Sequence, residues 1–308
     1  MSVLNMAGRG IHRKVNRMRI RWLLPIFSAV LSLTLITTPT GAVDRRTVDH
    51  ETPTLRSAGR VKAQPVWVVV NLFTGQTSKQ AVRIRDTLAG LGAEGRGIVL
   101  PFSAVTVERI AKLQPTFLAL SPNGMPWCRY RGKNGVALAN FLRALRIIVE
   151  QMRVPVIGVC GGHQALVLAF GGKVAPIRGG EDDCLPYGKN PTERGRHSVE
   201  VIENDPIFVG LGKTLNMVEN HYDEVKRLPS GFLWLAANDT SRYQIVRHPT
   251  RPAYGVQAHC EYYHASRPDG GLLLRNFLKI ARTHNRLVRQ GTVPTRPRGP
   301  TARAVSAK

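Results

Sequence analysis

Two short stretches of this chain hold residue types and spacings that could do covalent chemistry. The first is VPVIGVCGGHQ, residues 154–164. An apolar run ends in Gly158-Val159-Cys160-Gly161-Gly162, and a helical pattern starts at once. That is a strand–turn–helix elbow with cysteine at its apex. Glycines at 158 and 162 suit a turn this tight. A helix start directly behind a cysteine favours the thiolate and supplies free N–H groups, chiefly that of Gly161, for half of an oxyanion hole. The second stretch is YGVQAHCEYY, residues 254–263. A cysteine nucleophile needs a base, and the base needs an orienting group. His259 and Glu261 supply both: in an extended segment they point the same way, with Cys260 on the opposite face. The chemistry implied is acyl transfer through Cys160, His259 and Glu261. No Cys/His cluster has zinc spacing, and no metal or cofactor is expected.

The elements that must position these residues are legible as alternating patterns. VWVVV (66–70) reads as a strand buried on both faces, and residues 78–91 follow at helical spacing. GIVLP (97–101), a helix over 105–113, TFLAL (116–120), a helix over 136–152, VPVIGV (154–159) and a helix over 162–170 continue the alternation. SPNGMPW (121–127) is a loop by its Pro, Asn and Gly content. Strands alternating with helices predict an α/β fold: a mostly parallel open sheet with helices on both faces. His259 then sits at a strand's C-terminal end, where open α/β sheets place their sites. Beyond Gly172 short strands are predicted at 197–202, 214–219, 232–237, 242–247 and 253–258, partly antiparallel on the same sheet. A closing helix covers 272–280.

GVCGGHQ resembles the nucleophile motif of class I glutamine amidotransferases, and YGVQAHCE resembles that family's GVQFHPE motif. NHYDEVKRLPSGF (220–232) and FGGKV (170–174) are similar to family stretches in the same order. The resemblance covers about Val66 to Ile280. It implies flavodoxin-like layering and hydrolysis of the glutamine γ-amide, with ammonia release through a Cys160 thioester. It also implies an oxyanion position at Gly161, a substrate contact at Gln164, and a pocket lined by Asn220 and Tyr222. Two departures stand out. Cys260 replaces the family's proline between His and Glu. SPNGMP replaces a glycine-rich loop that supplies the second oxyanion donor; Gly124 is the best match there, with Asn123 next.

Composition bounds the rest. The 308 residues carry a net charge of +24, with 43% hydrophobic and 6% aromatic residues. Of the 44 Lys and Arg, six lie in residues 1–21 and nine in residues 270–308, and neither stretch contains an acid. The basic excess is therefore concentrated at the ends, and with no aromatic interleaving to stack bases, no nucleic-acid partner is expected. Residues 1–42 read as a signal peptide or signal anchor: arginines and a lysine, then the apolar run Trp22–Ile36, then small residues at Thr40–Ala42. This predicts an exported protein, periplasmic or extracellular, or one anchored to a membrane through residues 13–38, in preference to a cytoplasmic one. On export, Cys128 and Cys184 could form a disulfide. Residues 43–64 read as linker, 65–281 as the catalytic domain, and 282–308 as a basic disordered tail.

Three functions follow. One is a glutaminase subunit passing ammonia to a separate synthase. Another is a stand-alone exported hydrolase of glutamine or a γ-glutamyl compound. The third is a non-catalytic ligand-binding module on the same fold.

Overall fold

A computed structural model of the chain describes residues 64–75, 78–185 and 191–292. The predicted signal at 1–42 and nearly all of the predicted linker lie outside them. Along the chain come β1 (Val66–Asn71), α1 (Lys79–Gly90), β2 (Arg96–Pro101), α2 (Val107–Leu113) and β3 (Leu118–Leu120). Next are α3 (Gly132–Glu150), β4 (Val156–Val159), α4 (Gly161–Ala169) and β5 (Lys173–Pro176). The second half holds β6 (Glu193–Val201), β7 (Thr214–His221), β8 (Asp223–Arg227), β9 (Leu233–Ala237), β10 (Ile245–Arg247), β11 (Ala253–Val256) and α5 (Asp269–Arg289).

Nine strands form one sheet in the order β2-β1-β3-β4-β11-β10-β9-β6-β7. β2 through β11 in that order pair parallel, and the remainder pair antiparallel. The α/β fold, with its mainly parallel core and helices on both faces, is as the sequence predicts. β1 shows why: Trp67 and Val69 pack on one face with α1 and α5, while Val68 and Val70 pack on the other with α2, α3 and α4. A strand apolar at every position can serve two helical layers at once.

Two features differ from the expectation. β5 and β8 form a separate two-stranded antiparallel sheet. α5 continues to Arg289, so residues 282–289, read as disordered tail, are helical. Its apolar face ends at Ala281. Past that point polar side chains anchor it to backbone carbonyls of the sheet's loops: Arg282 Nη2 donates to Gly92 O at 3.1 Å and Asn285 Nδ2 to Thr116 O at 2.7 Å. His284 Nε2 lies 2.9 Å from Arg153 O. Hydrophobic periodicity cannot register such anchors.

Candidate active site

Cys160 joins β4 to α4 with φ 50° and ψ −107°, a left-handed backbone that a side chain rarely adopts. Such a conformation costs about 1–3 kcal/mol and persists only where its surroundings enforce it. Here Cys160 N donates to Val256 O at 2.8 Å, and Gln164 N donates to Cys160 O at 3.1 Å. The flanking glycines are required by close approach. A Cβ on Gly158 would lie 2.2 Å from Gly162 O, and one on Gly162 would lie 2.3 Å from Leu120 O. The elbow is thus pressed between its own helix and β3, which aims the thiol outward at the C-terminal ends of the parallel strands.

β11 lies beside β4, with Val256 opposite Val159, so the chain leaving β11 passes next to Cys160. His259 follows three residues later, held by its N–H to Val218 O at 2.7 Å. Its Nδ1 is 2.8 Å from Glu261 Oε1. The pairing is the expected one, but the backbone that makes it is not extended. Residues Cys260–Tyr262 form a 3-10 turn. The turn folds Glu261 back under the imidazole and drives Cys260 into the core beside α5, where burial pushes its thiol pKa well up. His259, Glu261 and Cys160 are all buried. Burial works against a charged imidazole, yet Cys160 and Glu261, by charge and by hydrogen bonds, hold the His259 pKa well above its ordinary value of 6.5.

A cleft of about 490 Å³ opens over Cys160 and His259, within the roughly 300–1,000 Å³ usual for small-molecule sites. Gly124, Asn220 and Tyr222 line it, together with Phe73, Pro122, Asn123, Thr192 and Arg194. The 121–126 loop approaches the nucleophile through Asn123, not Gly124: a Cβ on Gly161 would lie 2.4 Å from Asn123 N, whereas Gly124 rests on the Phe73 ring. Gln164, expected to touch substrate, lies beneath the cleft. Its Oε1 accepts from Trp127 Nε1 at 2.7 Å, and its Nε2 donates to Asp223 O at 2.6 Å and to Gln257 Oε1 at 3.0 Å. Gln257 Nε2 in turn reaches Cys160 Sγ at 3.8 Å. The carboxamide of Gln164 is fully used by the protein and braces the site from below. Gln257 and Trp127 escape a reading of the sequence, although Gln257 lies two residues before His259. Cys128 is disulfide-bonded to Cys184, which ties the turn after the 121–126 loop to the segment leading to β6.

Behind the cleft wall, His221 Nε2 lies 2.9 Å from Glu193 Oε2 and 3.3 Å from Glu219 Oε2, all three side chains being buried. Their ligand atoms lie within 4.8 Å of one another, a spacing that could hold a cation, but the imidazole already bridges both carboxylates. Burial alone would lower the His221 pKa; the hydrogen bonds to Glu193 and Glu219, with the charges of Glu219 and Cys160, override it and push it up from 6.5 to about 10. The stability contributed by this cation is complete below about pH 6.5 and is lost as pH rises toward 10. His221→Asn leaves two buried carboxylates without a counter-charge and is expected to cost about 3–5 kcal/mol. Urea unfolding checks both points: wild-type stability should fall between neutral pH and pH 10, and the variant should lose most of that dependence.

This fold and this elbow define a cysteine-dependent class I glutamine amidotransferase domain. Residues 106–281 match the family model for glutamine amidotransferase class-I, and the chain belongs to that family. It is similar to a glutamine-hydrolyzing GMP synthase subunit of Pyrococcus abyssi, 33% identical over 198 residues, covering 64% of this chain and 91% of that protein. The corresponding subunit of Methanosarcina acetivorans is 39% identical over 133 residues, covering 43% of this chain and 62% of that protein. The chain thus spans less than two thirds of that relative's length. Among solved structures, a candidate GMP synthase subunit from Thermoplasma acidophilum aligns with a TM-score of 0.57 at 23% identity, over 73% of this chain and 98% of that one. A glutamine amidotransferase from Thermotoga maritima aligns with a TM-score of 0.51 at 17% identity, over 75% and 99%. Both support the fold.

These relatives correct the expectation of an exported or membrane-anchored protein. They are subunits of GMP synthase. No helix among the described residues is long and apolar enough to cross a membrane.

Proposed function

We propose that the protein hydrolyses the γ-amide of glutamine through a Cys160 thioester and passes the ammonia to a separate synthase subunit. The observation that carries this reading is the strained Cys160 elbow beside a buried His259 whose Nδ1 is 2.8 Å from Glu261. Cys160 Sγ attacks the amide carbon, and the carbonyl π electrons move to oxygen. The N–H groups of Gly161 and Asn123 take the oxyanion. As the C–N bond breaks, protonated His259 gives its Nε2 proton to the leaving nitrogen, and ammonia departs. Neutral His259 then takes a proton from water, and the hydroxide attacks the thioester. The γ-carboxylic acid leaves as the thiolate re-forms, with the first proton retained on His259, and it ionises to glutamate by giving its own proton to solvent. Glu261 accepts the Nδ1–H throughout, fixing the ring's tautomer and orientation. Asn220 and Tyr222 flank the substrate.

The similarity to a GMP synthase component over 91% of the Pyrococcus abyssi protein favours ammonia delivery over a stand-alone hydrolase. The completeness of the triad favours an enzyme over a binding module. The test is nitrogen donation. Mixed with the synthetase subunit of a GMP synthase from the same cell, the chain should support GMP formation from glutamine. GMP formation only on addition of free ammonium would overturn the donor reading.

A further inference from the structure

Arg194 is the second residue of β6, and its register partner is Asn220 on β7. Alternation along the paired strands sends Glu193 and His221 inward and places Arg194 and Asn220 on the cleft side. Arg194 Nε donates to Asn220 Oδ1 at 3.3 Å, which steadies the guanidinium and leaves its two Nη groups for a ligand. Among the described residues no carboxylate pairs with it. The described lining of the cleft contains no Asp or Glu at all. The short undescribed stretches within the domain, 76–77 and 186–190, contain none either.

Glutamine brings three polar groups: the reacting amide, a carboxylate and an ammonium. The cleft offers a planar guanidinium, whose fork matches a carboxylate, and no anion for the ammonium. We propose that Arg194 is a specificity-determining residue that binds the substrate carboxylate, so that the site takes ω-amides of dicarboxylic acids whether or not they carry an α-ammonium. This rests on the glutaminase reading above and adds to it which end of the substrate is read. Asn220 acts with Arg194 by fixing the guanidinium edge.

The experiment compares ammonia release by the full chain from three amides. These are glutamine; glutaramate, which lacks the α-ammonium; and glutamine α-amide, which lacks the carboxylate. Glutaramate should be used with kcat/KM within about fivefold of glutamine. Loss of a charge-assisted contact should lower kcat/KM for the α-amide by roughly 10–150-fold. Arg194→Met should raise KM for glutamine by a similar factor, with a smaller effect on kcat, and should erase the preference over the α-amide; Arg194→Lys should restore part of it.

Alkylation of Cys160 gives a readout that needs no turnover. The rate ratio of anionic iodoacetate to neutral iodoacetamide should fall about tenfold or more in Arg194→Met. A lowered ratio without hydrolysis of any amide would leave the anion subsite standing and remove the glutaminase reading. Hydrolysis with an unchanged ratio, an unchanged KM in Arg194→Met, or refusal of glutaramate would overturn the assignment to Arg194.

Discussion

Cys160→Ala is expected to abolish ammonia release from glutamine, by about 10⁴-fold or more, while glutamine still binds. The size follows from the role: without sulfur there is no thioester, and what is left is water attack assisted only by the oxyanion donors and by binding. Folding should survive, because the side chain is small and the elbow is shaped by Gly158, Gly162 and the Cys160 backbone bonds, not by the thiol. Alanine at a positive-φ position carries no more strain than cysteine does. Steady-state ammonia release checks the rate, and calorimetry with glutamine checks binding. Loss of binding together with loss of rate would mean that the variant had damaged the pocket instead.

His259→Ala is the second large effect, expected at about 10³–10⁴-fold in kcat. His259 both donates the proton that ammonia needs and takes one from water, so its removal touches both halves of the reaction. Glu261→Gln should cost roughly as much as other triad carboxamide substitutions, about 10⁴-fold, because a carboxamide can hold the ring in the wrong tautomer. The pH dependence adds a signature. Burial pulls the His259 pKa down, but the charges and hydrogen bonds of Cys160 and Glu261 hold it well above its ordinary value, which favours the imidazolium in the resting site. Activity should therefore decline on the alkaline side as that proton is lost, and Glu261→Gln should move the decline to lower pH. Initial rates across a pH series with wild type and variant decide it.

Much of this site is legible in residues 154–164 and 254–263 because its chemistry is local to two strand ends. A continuous apolar run such as Val66–Val70 can only be a strand covered on both faces, and the C-terminal end of such a sheet is where a nucleophile elbow must open. Other parts are not local. β5 and β8 are short and charged, and exist because each supplies the other's hydrogen bonds. Strand alternation predicts the His259–Glu261 pairing, yet a 3-10 turn makes it. Alternation and the turn agree on the outcome for different reasons. Gln164 follows the motif in sequence, but its partners, Trp127, Asp223 and Gln257, come from three distant segments and hold it beneath the cleft. Arg194 reaches the cleft only through the β6–β7 pairing, which no pattern near residue 194 announces. The choice between Asn123 and Gly124 needs the position of Gly161 against the loop.

The most direct test of the catalytic assignment is covalent trapping. A glutamine analogue carrying an electrophile at the γ-carbon should label the intact protein once, on Cys160, and millimolar glutamine should slow the labelling in proportion to its occupancy. Cys260, the other free cysteine among the described residues, should remain unmodified in its buried position. Peptide mapping by mass spectrometry reads the result. Labelling at Cys160 with protection by glutamine is the predicted outcome; an unlabelled Cys160, or labelling that glutamine does not slow, would contradict it.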